Sequence, residues 1–198
     1  MTARTPISIR DAAPCFRLEP MDRAEAVALE PGSKRATSLR PLLALLLFVT
    51  IPVLVLDQAT KHLVQSHMKL YQSIGLIPNW LDITYTRNPG AAFSLFVNLP
   101  VWLRASFLFS LSAVAIVALT VLLAYSAELN LTSISLALIL AGAAGNLIDR
   151  AMAGEVTDFI DVHYYVHHYP IFNVADCAIT IGVALILLGS LSVRQADR

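Results

Sequence analysis

The sequence predicts an all-α membrane protein, a four-transmembrane-helix bundle, and three observations carry that prediction. Of the 198 residues, 57% are apolar and 14% charged, whereas an ordinary soluble domain has about 25% charged residues. Four apolar runs reach or approach the ~20 residues needed to cross a bilayer. The polar residues inside or beside those runs gather at particular span ends instead of scattering. Positive and negative side chains balance to a formal net charge of zero. There is no excess charge to attract nucleic acid, and no such partner is expected.

Residues 1–38 are polar, mixed in charge and punctuated by Pro6, Pro14, Pro20 and Pro31. They lack the apolar stretch of a signal peptide and read as a disordered, dispensable tail, or as translation from a start codon set too early. The remainder, 39–195, reads as one membrane domain. Its first span begins as PLLALLLFVTIPVLVL, residues 41–56. That is short for a crossing, so the helix is expected to continue through DQATKHLV, which leaves Asp57 and Lys61 inside its end. Next, LDITYT (81–86) alternates apolar and polar residues as a half-buried strand does, and RNPG (87–90) follows as a turn.

The second span covers about 101–125 and the third about 131–148. The connection between them, SAELN, is short and bland. Between spans three and four, VTDFIDVHYYVHHYP is aromatic and amphipathic and suits a headgroup interface. The fourth span covers about 172–193 and carries Asp176 near its start. Cys15 and Cys177 lie in unlike settings and form no CxxC or zinc spacing, so no disulfide framework is expected. Cys177 follows Asp176, about 100° away round a helix, and reads as a small buried residue.

If the spans run up and down, four of their ends share one membrane face. These are the end of span one (Asp57, Lys61), the approach to span two (87–94), the end of span three (Asn146, Asp149, Arg150) and the start of span four (Asn173, Asp176). Lys61, Arg87 and Arg150 are explained by snorkelling of long basic side chains. Asp57, Asn146, Asp149, Asp158 and Asp176 together are not, because ionisable groups at membrane depth usually mark function.

Three chemistries are open to such a cluster. Paired carboxylates could run an intramembrane hydrolase, one ionised to activate water and the other protonated to polarise a carbonyl. Asp158 is the natural partner of Asp176, since the segment joining them is short and returns to the same face. A metalloenzyme would use His163 and His167, four apart and on one face if helical, but HYYVH lacks the glutamate of H-E-x-x-H. No metal or cofactor is expected. A carrier would line a cavity with Asp and Asn, although four spans are few and no repeat symmetry is present. A serine nucleophile finds no G-x-S-x-G.

Five motifs in this order, DQATK (57–61), RNPGAAFS (87–94), GNLIDR (145–150), GEVTDFIDVH (154–163) and FNVADCAIT (172–180), resemble those of the bacterial lipoprotein signal peptidases, the type II signal peptidases. The resemblance spans about 40–190. It implies an aspartic endopeptidase that removes the signal peptide of a diacylglyceryl-modified prolipoprotein just before the lipidated cysteine. It assigns the catalytic pair to Asp158 and Asp176, with Asp149 as competitor for the second place. Substrate-binding or supporting roles fall on Asp57, Lys61, Asn88, Gly90, Asn146, Asp149, Arg150 and Asn173.

The resemblance also implies a small extracytoplasmic β-cradle between spans one and two and a periplasmic loop or helix between spans three and four. It implies inhibition by globomycin and contact with membrane lipid. The chain departs from the family pattern at Cys177, where serine is usual, and at Thr157, where valine is common. Basic residues flanking the two faces number five against five, so the positive-inside rule gives no orientation. The family places the termini in the cytoplasm and the site near the extracytoplasmic face of the inner membrane. Asn173 is expected to cap span four, placing Asp176 in its first turn as the ionised base, with Asp158 as the protonated acid.

Overall fold

The computed structural model describes residues 39–90, 100–126 and 128–196. The expectations for the tail 1–38, for Cys15 and for 91–94 of the second motif lie outside them. Helix α1 runs through Leu39–Leu45, a π-helical turn Leu46–Thr50, and Ile51–His67. In that turn the Ile51 N–H reaches back five residues to the Leu46 carbonyl. Pro52, which has no N–H to donate, follows directly. Helices α2 (Val101–Tyr125), α3 (Leu131–Ala153) and α4 (Val174–Ala196) complete the set. All four are long and apolar enough to cross a membrane.

The third helix extends five residues beyond the expected end at 148, so GNLIDR lies within its last turns. Asn130 caps its start by accepting the Ser133 N–H at 2.9 Å, and Gly154 ends it at φ 75°, a left-handed conformation suited to glycine. α3 is the central helix, with 44% of its spanning window buried against 17% or less in the other three. Leu45, Leu123, Ala137 and Leu140 form a core between α1, α2 and α3. Elsewhere the large apolar side chains, such as Phe48, Val55, Val114 and Leu188, point outward. A bilayer supplies the apolar solvent that such a surface needs.

Small residues bring α3 close to its neighbours. A Cβ on Gly142 would collide with the Ala175 carbonyl oxygen of α4, and one on Gly145 with the Asp57 carboxylate of α1. These glycines set the approach of three helices at the level where the polar residues lie.

An antiparallel sheet sits beside that end of the bundle, in the order β1 (Ser73–Ile77), β2 (Leu81–Asn88), β3 (Val156–Tyr164), β4 (His167–His168). The expected strand at 81–86 is β2. The stretch between spans three and four, expected as a loop or helix, instead supplies β3 and β4, so the cradle is built from both connections. Pairing explains the difference: β3 hydrogen-bonds β2 from Leu81↔Val162 to Asn88↔Val156, a partner remote in sequence. Val64, Tyr85 and Phe159 cluster to seat the sheet on the end of α1.

His163 pairs with His168 and Tyr164 with His167 across the β3–β4 hairpin. The helical face that would have joined His163 to His167 does not form. Asp82 and Asp161 lie directly opposite each other, an unfavourable like-charge pair. His163 Nε2 approaches Asp82 at 3.4 Å and His168 Nδ1 bonds Asp161 at 2.9 Å. These histidines serve the sheet.

Candidate active site

Asn173 stands just before α4 with no exposed surface. Its Oδ1 accepts the Asp176 N–H at 2.9 Å, and its own N–H donates to Asp176 Oδ2 at 3.3 Å. This reciprocal cap fixes Asp176 in the first turn, as expected. The Asn173 amide Nδ2 faces Asp158 Oδ1 at 2.7 Å, the Thr157 carbonyl at 3.2 Å and Asn146 Oδ1 at 3.2 Å. One buried residue therefore touches both carboxylates of the expected pair, Asp158 through its side-chain amide and Asp176 through its backbone N–H.

Asn88, from the end of β2, donates to Asp158 Oδ2 at 3.1 Å and accepts the Gly90 N–H at 3.0 Å. Asn146, from α3, donates to Asp176 Oδ1 at 2.8 Å. Behind this layer lies an ion network. Lys61 Nζ meets Asp57 Oδ2 at 2.8 Å, Asp149 Oδ2 at 3.0 Å and Asn146 Oδ1 at 3.1 Å. Its three donors match three acceptors. The snorkelling expected of Lys61 does not occur, because α3 carries acceptors to it and leaves the side chain 2% exposed.

The two carboxylates on Lys61 each hold a backbone amide. Asp57 Oδ1 accepts the Ala175 N–H at 2.9 Å, and Asp149 Oδ2 accepts the Thr157 N–H at 3.0 Å. Ala175 precedes Asp176 and Thr157 precedes Asp158, so one ammonium ion links the supports of both carboxylates. Asp149 thus pairs with Lys61. Arg150 bonds the Asn146 carbonyl at 3.2 Å and borders the cavity.

Gln58, which the sequence reading passed over, donates to Asp57 at 3.1 Å and to Asp149 at 3.1 Å. Gln65 was also missed; it donates to Thr157 Oγ1 at 2.7 Å. Asp57, Gln58, Lys61 and Gln65 recur at roughly helical spacing along an apolar helix, a polar stripe that was available as a signal.

A cavity of about 860 Å³ opens between the sheet and α4, bordered by Asn88, Asn146, Arg150, Asp158 and Asp176. Tyr169 and Phe172 form part of its wall, as does Cys177. Cys177 is half-buried, more open than its expected interior role. Asp158 is 2% exposed, and its pKa is raised to about 7, by burial first and by the negative Asp176 second. The donors Asn88 and Asn173 and the charge of Lys61 pull the other way. Two neighbouring carboxyls, one of which holds its proton to near neutrality, can act as acid and base on one substrate.

Four membrane-length helices, with an acidic pair, Asp158 buried and Asp176 half-buried, at one end of the bundle, define a polytopic membrane protein with a hydrolase-type site. Residues 49–192 match the family described as signal peptidase (SPase) II, and the chain belongs to that family, the aspartic peptidases of lipoprotein processing. It is 48% identical over 141 residues to a lipoprotein signal peptidase of Geobacter metallireducens, covering 71% of this chain and 86% of that one. It is 43% identical to one of Syntrophus aciditrophicus, covering 79% and 97%. A solved bacterial membrane enzyme superposes with a TM-score of 0.68 at 35% identity, covering 77% of this chain and 90% of the other. The protein is a multi-pass signal peptidase of the bacterial inner membrane.

Proposed function

We propose that Asp158 and Asp176 are the catalytic pair of a prolipoprotein signal peptidase, and that Asp149 is a support. The observation that carries this reading is the single residue Asn173 holding two carboxylates at one cavity wall, Asp158 by its side-chain amide and Asp176 by its backbone N–H, with the Asp158 proton affinity raised to near neutrality. Asp176 is held by donors alone, Asn146 and the Asn173 N–H, and sits in a helix first turn where negative charge is favoured. It serves as the ionised base that takes a proton from water. Asp158 serves as the neutral acid, donating to the scissile carbonyl as water attacks. Its proton stabilises the charge developing on that oxygen, and the roles exchange as the amine leaves. Asp149 is committed to Lys61, Gln58 and Thr157 and is not among the residues that border the cavity.

The substrate in this reading is a prolipoprotein cut just before a diacylglyceryl-modified cysteine, with the acyl chains in bilayer lipid and the peptide in the cavity. Binding energy from the chains positions a bond remote from them. The termini lie in the cytoplasm and the site near the extracytoplasmic face. Globomycin, as an inhibitor of the family, would compete for the same cavity. The tail 1–38 contributes nothing to cleavage.

The test uses purified enzyme with lipid-modified and unmodified precursor. Asp158→Asn and Asp176→Asn should each fold and bind precursor, yet lose nearly all turnover. The double variant should be little worse than either single one. Unmodified precursor should be cut far more slowly by the wild type. A folded, inactive Asp149→Asn beside an active Asp158→Asn would move the second catalytic place to Asp149.

A further inference from the structure

The Thr157 hydroxyl has a partner from a helix remote in sequence. Three bonds meet at this residue, which is 3% exposed. Its N–H donates to Asp149 of α3 at 3.0 Å, its carbonyl accepts from Asn173 at the start of α4 at 3.2 Å, and its hydroxyl accepts from Gln65 of α1 at 2.7 Å. Each of the three helices around the site thus holds one polar group of the residue that precedes Asp158. A strand residue has two soft backbone torsions. Fixing Thr157 at both backbone groups and its side chain leaves the next residue little freedom to swing.

We propose that Thr157 is a positioning residue for Asp158, and that Gln65 completes the positioning through the Thr157 hydroxyl. This rests on the assignment of Asp158 to the catalytic pair. Gln65 lies near the end of α1, two turns beyond Asp57 on the same polar stripe. The bond therefore ties the exit of the first span straight to the strand that carries Asp158, independently of the Lys61 network.

Thr157→Val keeps the side-chain shape and both backbone bonds and removes only the acceptor for Gln65. On lipid-modified precursor, kcat of the full-length variant should fall about fivefold to tenfold, while KM changes by less than about twofold. The alkaline limb of its rate–pH profile should move to lower pH, because a less firmly seated Asp158 admits water and releases its proton more readily. Thr157→Ser should restore both kcat and the profile. Gln65→Leu should reproduce the Thr157→Val effect, and the two together should cost no more than either alone. A Thr157→Val enzyme with wild-type kcat and profile, or losses that add in the double variant, overturns the proposal. Asp158→Asn measured alongside separates the two claims. Its inactivity with an unaltered Thr157→Val sinks the positioning role only, and its full activity sinks the catalytic pair and this role with it.

Discussion

Asp158 and Lys61 show how burial changes what an ionisable side chain does. For Asp158, removal from water and the neighbouring negative charge outweigh two amide donors, so its proton stays on to about pH 7. The raised value means that the neutral form is complete at mildly acid pH and is lost as pH rises through that point. Cleavage should therefore fall on the alkaline side of about pH 7, as initial rates on lipid-modified precursor would show. Lys61 is ringed by acceptors, two carboxylates and an amide oxygen. Removing one partner of a buried ionic group costs about 3–5 kcal/mol. Lys61→Met leaves Asp57 and Asp149 facing each other without a cation, and should lower the thermal unfolding midpoint sharply. An unchanged midpoint would mean that water reaches the network.

Helix α3 governs the geometry at the scale of elements. Its glycines allow α1 and α4 to approach until Asp57 can grip the Ala175 amide and Asn146 can reach Asp176. Gly142→Ala places a methyl group against the Ala175 carbonyl oxygen, so the start of α4 must shift. Turnover should fall by about 100-fold, since a displacement near 1 Å suffices for that loss, while circular dichroism keeps its helical signal. The four spans were legible because hydropathy is a local property of each run. Asp176 stood out in the same way, as a carboxylate in an apolar run, whereas Asp158 was singled out by the short connection to Asp176 and by the motif that carries it. The β3–β4 hairpin did not, because its aromatic, amphipathic sequence fits an interfacial helix equally well until β2 pairs with it. Nor did the burial of Lys61, which depends on acceptors supplied by a helix far along the chain.

The described residues together invert the arrangement of a soluble protein: large apolar side chains cover much of the exterior, and Asp57, Lys61, Asp149 and Asp158 are buried inside one end. That end is held by groups from α1, α3, α4, β2 and β3, so the site depends on helices keeping their rotational phase over their full length. The π turn Leu46–Thr50 bears on this directly. A turn closed five residues back, instead of four, stores one residue more than the same height of α-helix. Deleting Phe48 from it should let the helix close up regularly, with the faces above and below still aligned, and cleavage should survive. Deleting Val55, one helical segment later, rotates one half of α1 against the other by about 100°. Either Asp57 and Lys61 then leave α3, or Thr50 loses the Ala137 carbonyl that it reaches at 3.2 Å. Cleavage assays on the two deletions distinguish the cases, and equal loss in both would deny the turn this role. On this account the first span has a single place where its length is negotiable, a slack joint through which insertions and deletions can pass without disturbing the chemistry at the far end.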